Sequence, residues 1–229
     1  PLFGTEQVIC TPHLGASTAE AQENVAVQVA EQISDYLING TVTNALNLAS
    51  VTKEEATKLK PYIQLASKLG VLAGSLAEQS IQEIAIDFEG QAAGLNIKPL
   101  VAVALQNILK QFIAGVNMVN AKEIAKERGI KVREVKHQSD GDYLNAINIR
   151  IATSGGIDYA VKGSVFAKDK PRLVEIANIK LEAELQGSML FIENEDKPGL
   201  IGGIGRVLGE EGINIGNFHL GRGEKGGGE

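Results

Sequence analysis

The sequence predicts an α+β protein: a domain of helices and a mostly antiparallel sheet, followed by a strand–helix–strand segment and preceded by a strand, a loop and a helix. Three observations support this prediction. Helical periodicity precedes a group of neighbouring strands at 48–186, which is the usual order in α+β domains. A separate strand–helix–strand pattern follows at 187–229, and a strand, a loop and a helix come first at 1–47.

Composition limits the class of protein. The 229 residues suffice for two ordinary domains. Acidic and basic residues are interspersed at a net charge of −6, so nucleic acid is not an expected partner. A single cysteine, Cys10, excludes an internal disulfide and fits a reducing compartment, so we expect a cytoplasmic protein. No apolar run approaches the roughly 20 residues of a membrane span. No Cys/His cluster has metal-site spacing, so no metal is expected.

The first 47 residues are predicted to form one strand and one helix. Residues 7–10 form a short apolar run that predicts a strand, and a loop follows it. Ser17 and Glu20 have the spacing of a capping box, which predicts that the helix begins there. Asn39 and Gly40 are typical of a helix end.

The middle of the chain is predicted to change from helices to strands. Residues 48–60 are interpreted as a charged connector that ends at a boundary marked by Pro61. The elements predicted after it are helices at 62–77 and 100–112, a strand at 81–88, a helix from Asn120 to Gly129, and strands at 130–135, 146–151, 159–166, 172–176 and 179–185.

The last segment has a strand–helix–strand pattern. Met189 to Glu193 is predicted to be a buried strand. Pro198 suits the first position of the following helix, and Gly212 is expected to end it. Residues 213–218 are predicted to form a second strand.

Gly203 and Gly205 offer an alternative interpretation of that helix, because glycines at a helix start can belong to a dinucleotide fingerprint. The match is poor, since the third glycine is at 209 instead of 208 and Pro198 places the helix start upstream of all of them. No acidic ribose ligand follows about 20 residues later. We therefore favour glycines that let the helix lie close to a sheet.

His13 is the candidate catalytic residue. An imidazole titrates near neutral pH, and the predicted position just past a strand end is where open α/β sheets bind ligands. A histidine that only hydrogen-bonds its loop is the alternative. The surrounding Thr11-Pro-His-Leu-Gly-Ala-Ser-Thr-Ala-Glu-Ala-Gln22 and Val42-Thr-Asn-Ala-Leu-Asn47 closely resemble the end of the catalytic part of the D-3-phosphoglycerate dehydrogenase family, within the D-2-hydroxyacid dehydrogenases.

Two further stretches extend the resemblance. Gly163-Ser-Val-Phe to Lys-Pro-Arg-Leu-Val-Glu-Ile176 resembles the intervening domain of the family's long form. Asp196-Lys-Pro-Gly199 and the helix after it resemble the first half of an ACT domain, a ferredoxin-like βαββαβ module that senses amino acids. The resemblance implies a strand–loop–helix remnant of an α/β catalytic domain at 1–47, an intervening, allosteric substrate-binding-like domain at 48–186 and a partial, ferredoxin-like βαβ ACT domain at 187–229.

The resemblance implies an activity for the intact protein. In this family, NAD takes the hydride as 3-phosphoglycerate is oxidised to 3-phosphohydroxypyruvate at the start of L-serine biosynthesis, and the histidine at the place of His13 moves the proton. The family's NAD loop, substrate arginine and partner glutamate lie upstream of this segment. We therefore expect a fragment of a longer protein, inactive alone. A stand-alone amino-acid-sensing or assembly module is the alternative, and another D-2-hydroxyacid dehydrogenase is a third possibility.

The resemblance also implies an effector site, with L-serine bound between two ACT domains. The matching positions are Asn194, Asp196 and Asn214. Asp196 can accept a charge-assisted hydrogen bond from the ammonium group, and Asn214 can donate and accept. The alternative is that Asp196 caps the helix and Asn214 pairs locally. Because half a module leaves an exposed strand edge, we expect a homo-oligomer with two-fold contacts.

The middle domain offers less chemistry. His137, close to Asp142, is interpreted as part of a solvated loop. Ser154-Gly-Gly156 could wrap an anion, although a turn is the simpler interpretation. Arg172 and Lys180 could attract a phosphorylated metabolite, and a solvated charged face is the alternative.

Overall fold

A computed structural model describes residues 4–39, 43–46, 53–77, 80–138, 142–156, 158–167, 169–193 and 198–221. The chain divides into two compact units, residues 1–56 and residues 57–229.

The first unit contains helix α1, Ala19–Asn39. The hydroxyl of Thr18 caps it by accepting a hydrogen bond from the Ala21 N–H at 3.1 Å. The predicted cap at Ser17 is therefore wrong by one residue, because the Ser17 hydroxyl donates to the Leu14 carbonyl instead.

The strand predicted at 7–10 is also wrong. These residues are exposed and form no strand in the described part of the chain. An extended segment becomes a strand only when a neighbouring strand accepts and donates its backbone hydrogen bonds. No described segment offers that pairing to residues 7–10.

The remaining elements follow in chain order. They are α2 (Lys53–Leu76), β1 (Ile81–Gly90), a 3-10 turn (Gln91–Gly94), α3 (Lys98–Leu109), α4 (Ala121–Glu127), β2 (Lys131–His137), β3 (Asn145–Thr153), β4 (Asp158–Phe166), β5 (Lys170–Ile176), β6 (Ile179–Glu184) and α5 (Leu200–Glu210).

The six strands form one sheet in the order β2-β1-β3-β4-β5-β6. β1 and β2 are parallel and are joined by the crossover through α3 and α4, whereas every other neighbouring pair is antiparallel. The predicted α+β architecture with a mostly antiparallel sheet is confirmed.

The two faces of the sheet differ in chemistry. On the helix-covered face, Ile84, Ile86 and Phe88 of β1 lie opposite isoleucines of β3 and are fully buried. Leu65 and Leu69 of α2 reach this face at Gly163, where an added Cβ would lie 2.6 Å and 3.1 Å from them. The other side, which we call the polar face, carries Glu83, Asp87, Glu89, Asn148, Arg150 and Lys162.

Helices α2 and α3 cross closely because two glycines of α2 have no side chain. A Cβ added to Gly70 would lie 2.7 Å from the Ala104 carbonyl oxygen, and one added to Gly74 would lie 2.9 Å from that of Ile108. The same contact contains one polar link, in which the Asn107 amide donates to the Ser67 hydroxyl at 3.2 Å.

The predicted connector at 48–60 is wrong from Lys53 onward, because α2 begins there and continues through Pro61. Residues 48–52 lie outside the described residues. Proline inside a helix costs about 3 kcal/mol. Burial explains why the helix continues: Leu59 lies before the proline at 1% exposure, and Leu65, Ala66 and Leu69 lie after it at 0%. Burying one such leucine contributes about 1.5–3 kcal/mol, so these side chains offset the proline.

Helix α5 confirms the predicted helix near the C-terminus, with one correction. It begins at Leu200 behind Gly199, which has φ +102°, so Pro198 precedes the helix and is not its first residue. Gly212 ends it as predicted, with φ +70° and a hydrogen bond from the Ile213 N–H to the Leu208 carbonyl at 2.8 Å.

The strands predicted at 189–193 and 213–218 are wrong. Both segments are exposed, and neither pairs with a described strand. Two short strands form a stable sheet only with a third strand or with a helix packed against them. Helix α5 buries none of its residues, so it does not provide that support.

Candidate functional site

His13 lies in a bend of the first unit and is exposed. Its predicted place at a strand end is wrong, because residues 7–10 form no strand. The loop around it is ordered by the hydrogen bond from the Ser17 hydroxyl to the Leu14 carbonyl. The imidazole is therefore open to solvent within its own unit, which leaves its role as an acid–base a prediction.

Of the three predicted effector residues, the structure describes only Asn214. Asn194 and Asp196 lie outside the described residues. Asn214 is exposed, two residues after the glycine that ends α5. The structure therefore does not test whether these side chains meet.

The segment from 189 to 220 exposes an apolar surface. Helix α5 buries none of its own residues. The exposed large apolar side chains of this region are Met189, Leu190, Phe191, Ile192, Ile201, Val207, Ile213, Ile215, Phe218 and Leu220. A helix with an apolar stripe normally buries that stripe against another element.

Arg172 on β5 is half-buried in a cluster on the polar face. Its guanidinium lies 5.4 Å from the centre of the Phe166 ring. Its Nη atoms lie 3.5 Å from the Glu182 carboxylate and 3.8 Å from that of Glu184, while its Nε is buried without a hydrogen-bond partner. Arg172 is therefore not a freely solvated charge. This excludes, for Arg172, the interpretation that it belongs to a solvated charged face.

Three successive residues tie the loop after β2 to three different elements, and we call them the 142–144 strap. The Lys180 ammonium group lies 3.0 Å from the Asp142 carboxylate. The Tyr143 ring packs edge-on against Phe166 with 6.0 Å between centres. The Leu144 carbonyl accepts a hydrogen bond from the Gln91 N–H at 3.0 Å.

The charges of the strap shift its titrations. The hydrogen bond from Lys180, together with its positive charge, lowers the pKa of the Asp142 carboxyl. The same contact raises the pKa of Lys180. Burial, followed by the nearby Glu182 carboxylate, raises the pKa of the Tyr143 hydroxyl. Asp142 therefore pairs with Lys180. His137 is the last residue of β2.

Two clefts open on the second unit. One of about 650 Å³ lies between the 3-10 turn, the end of β2 and the strap, and its lining includes Gly90, Gln91, Lys136 and His137. The other, of about 260 Å³, is lined by residues that include Lys68 and Arg172. Ser154-Gly-Gly156 forms a turn, in which the Gly156 N–H donates to the Thr153 carbonyl at 3.2 Å.

Sequence reasoning did not find the larger cleft. Its walls come from segments that are far apart in the chain, and only the glycines at 90 and 94 directly after a strand hinted at an unusual turn there. Gly90 has φ +59°, a conformation that glycine adopts most readily.

Among the described residues, no three His, Cys, Asp or Glu side chains lie close enough together to hold a metal ion. No described helix combines the length and the apolarity that crossing a membrane requires.

Comparison with known proteins gives two family matches. Residues 58–177 match the D-3-phosphoglycerate dehydrogenase intervening domain, and residues 188–229 match the ACT domain. Among curated proteins, the D-3-phosphoglycerate dehydrogenase of Bacillus subtilis is 39% identical over 221 residues, which are 96% of this chain and 42% of that protein.

Other relatives carry the same name. That of Synechocystis is 39% identical over 94% of this chain and 39% of its own length. That of Methanocaldococcus jannaschii is 35% identical over 99% of this chain and 43% of its own length. The chain thus spans about two fifths of the curated relatives it matches.

Proposed function

Because this chain belongs to the D-3-phosphoglycerate dehydrogenase family, we propose that it is the C-terminal regulatory portion of such an enzyme. The observation that carries the proposal is the order of the two matches, an intervening domain at 58–177 followed directly by an ACT domain at 188–229. An ACT domain behind a domain of a metabolic enzyme is suited to sensing an amino acid and adjusting that enzyme.

The reaction of the intact enzyme is the oxidation of 3-phosphoglycerate to 3-phosphohydroxypyruvate in the cytoplasm, at the start of L-serine biosynthesis. His13 would take the proton from the substrate hydroxyl, since an imidazole can accept a proton at neutral pH. His13 is exposed within its own unit. This supports the role, because a substrate held by another part of the enzyme could then contact the imidazole.

NAD is the hydride acceptor in this proposal, and we place its site outside this chain. A dinucleotide fingerprint needs glycines at a turn between a strand and a helix. Gly203 and Gly205 lie inside α5, and no described strand leads into that helix. Gly203 and Gly205 therefore do not fit the cofactor, and no step of the reaction is assigned to them.

L-serine is the proposed effector, bound by Asn194, Asp196 and Asn214. The N–H groups that open α5 favour its carboxylate, and the Asp196 carboxylate complements its ammonium group. The exposed apolar side chains of 189–220 support a homo-oligomer, since a second copy would cover a surface that water solvates poorly. Serine would then bind between two copies.

An activity assay tests this function. The full-length enzyme should reduce NAD with 3-phosphoglycerate and be inhibited by L-serine, whereas the present chain alone should be inactive. A full-length protein that prefers a 2-hydroxyacid without a phosphate would contradict the substrate assignment. Activity of the isolated chain would contradict the placement of the NAD site.

A further inference from the structure

The loop that carries His13 is closed by a turn directly after it. Both donors of Ser17 reach the Leu14 carbonyl, the hydroxyl at 2.5 Å and the backbone N–H at 3.3 Å. A carbonyl oxygen has two lone pairs, so it can accept both hydrogen bonds. The carbonyl that Ser17 holds therefore belongs to the residue next to His13.

The Ser17 hydroxyl is the stronger of the two contacts that close this turn. Its hydrogen bond is short, whereas the one from the backbone N–H is longer than most bonds of its kind. Residues 14–17 are exposed, so burial contributes little to holding them. Gly15 lies within the turn, and glycine loses more conformational freedom on ordering than any other residue. The turn therefore depends on the hydroxyl for its order.

A long helix anchors the turn on its other side. Thr18 follows the turn directly and caps α1, because its hydroxyl accepts a hydrogen bond from the Ala21 N–H at 3.1 Å. The Thr18 carbonyl also accepts from the Gln22 N–H at 3.0 Å, and α1 continues for 21 residues. Before His13, the ring of Pro12 fixes the φ of its own residue. His13 thus lies between a proline and a closed turn that is joined to a helix.

We infer that Ser17 is a positioning residue for His13, an inference that rests on the proposed function, in which His13 accepts the substrate proton. In this role Ser17 does not contact the substrate, and its hydroxyl holds the backbone from which the imidazole extends. A general base has to lie within hydrogen-bond reach of the proton that it accepts, and a misplacement of about 1 Å can cost about 10²-fold in rate. Because His13 is exposed, it depends on its backbone for that precision.

Steady-state kinetics of the full-length enzyme test the inference. Ser17→Ala should lower kcat by at least about tenfold and change KM little, since the proton transfer is impaired and substrate binding is not. Turnover of this variant should also become more sensitive to the replacement of water by heavy water, because proton transfer then limits the rate. Ser17→Thr keeps a hydroxyl that can donate to the same carbonyl, so its kcat should stay within about threefold of the unmodified enzyme.

Ser75→Ala is the matched control. The exposed Ser75 hydroxyl donates to the Val71 carbonyl at 2.9 Å in α2, so this variant loses the same kind of hydrogen bond far along the chain from His13. It should keep the kcat of the unmodified enzyme. Thermal unfolding should show small and similar losses of stability for the two serine-to-alanine variants.

Three outcomes would overturn the inference while the proposed function stands. They are normal turnover of Ser17→Ala beside a His13→Ala variant of low turnover, equal losses of kcat in Ser17→Ala and Ser17→Thr, and loss of the thermal transition in Ser17→Ala, which would assign Ser17 to folding and not to position. Near-normal turnover of His13→Ala would overturn both the inference and the proposed role of His13.

Discussion

Cross-strand ion pairs of unequal burial join the side chains of the polar face. Lys162 and Glu89 lie 2.8 Å apart, with side chains 20% and 16% exposed. Arg133 and Glu83 lie 3.3 Å apart and are 65% and 29% exposed. Water screens the second pair more strongly, so the first should contribute more to stability.

Substitution of the two glutamates separates these contributions. Glu89→Ala leaves the Lys162 charge half-buried without its partner and should lower the free energy of unfolding by about 2 kcal/mol. Glu83→Ala should lower it by less than about 1 kcal/mol. Urea unfolding of both variants measures the difference, and equal losses would show that the burial of Glu89 is unimportant.

The Asp142–Lys180 pair predicts a pH dependence of the strap. A lowered pKa means that the pair contributes stability above the usual range of aspartate, and that this stability is lost as the pH falls through the lowered pKa. Lys180→Met should raise the pKa of Asp142 towards its ordinary value. A carboxyl NMR titration measures this shift, and an unchanged pKa would mean that the ion pair does not form in solution.

His13 gives the prediction for catalysis. In the full-length enzyme, His13→Ala should lower kcat by about 10²–10⁴-fold and change KM little. The reason is that the imidazole accepts the proton in the transition state and does not contribute to substrate binding. His219→Ala is the control, since that exposed histidine has no role in the proposed reaction. Near-normal turnover of the His13 variant would remove His13 from the mechanism.

At the level of secondary-structure elements, local pattern was sufficient wherever neighbours along the chain also pair in space. β3 to β6 follow one another with short turns, and their alternating or apolar runs predicted each of them. Helix α2 departed from prediction because its continuation through Pro61 depends on tertiary burial of Leu59 and the leucines after it. That burial cannot be obtained from a rule about proline alone.

The strands predicted in error show the opposite limit. Residues 7–10, 189–193 and 213–218 have apolar patterns typical of strands, yet none has a described partner. A strand is a property of a pair, because its backbone groups bond to another segment. A local pattern cannot show whether that segment is present.

The crossing of α2 and α3 gives the prediction at this level. Gly70→Ala places a Cβ 2.7 Å from the Ala104 carbonyl oxygen, so the helices have to separate. We expect the free energy of unfolding to fall by about 1–3 kcal/mol. Gly203→Ala in α5, where nothing lies within 4 Å of the added Cβ, should leave it unchanged or raise it by up to about 1 kcal/mol. Equal effects in denaturant unfolding would show that the helices do not cross closely.

Across the whole molecule, the candidate sites differ in how they could be found. His13, Asp196 and Asn214 were identified through motifs that lie within short stretches of sequence. The larger cleft could not be found in this way, because the parallel register of β1 and β2 brings Gly90 and His137 to one edge. Motifs identify residues that a family uses locally, whereas crevices between strand ends depend on the order of strands in the sheet.

The proposal on which the function depends most is that this chain senses L-serine for a full-length enzyme. Calorimetric titration of L-serine into the full-length enzyme tests it most directly, alongside the variants Asp196→Ala and Asn214→Ala. Asp158→Ala serves as the control, since Asp158 is exposed at the start of β4. We expect the unmodified enzyme and the control to bind serine alike, and each of the other variants to bind at least about tenfold more weakly. Equal binding by all four proteins would contradict the site, and no binding by the unmodified enzyme would contradict the claim itself.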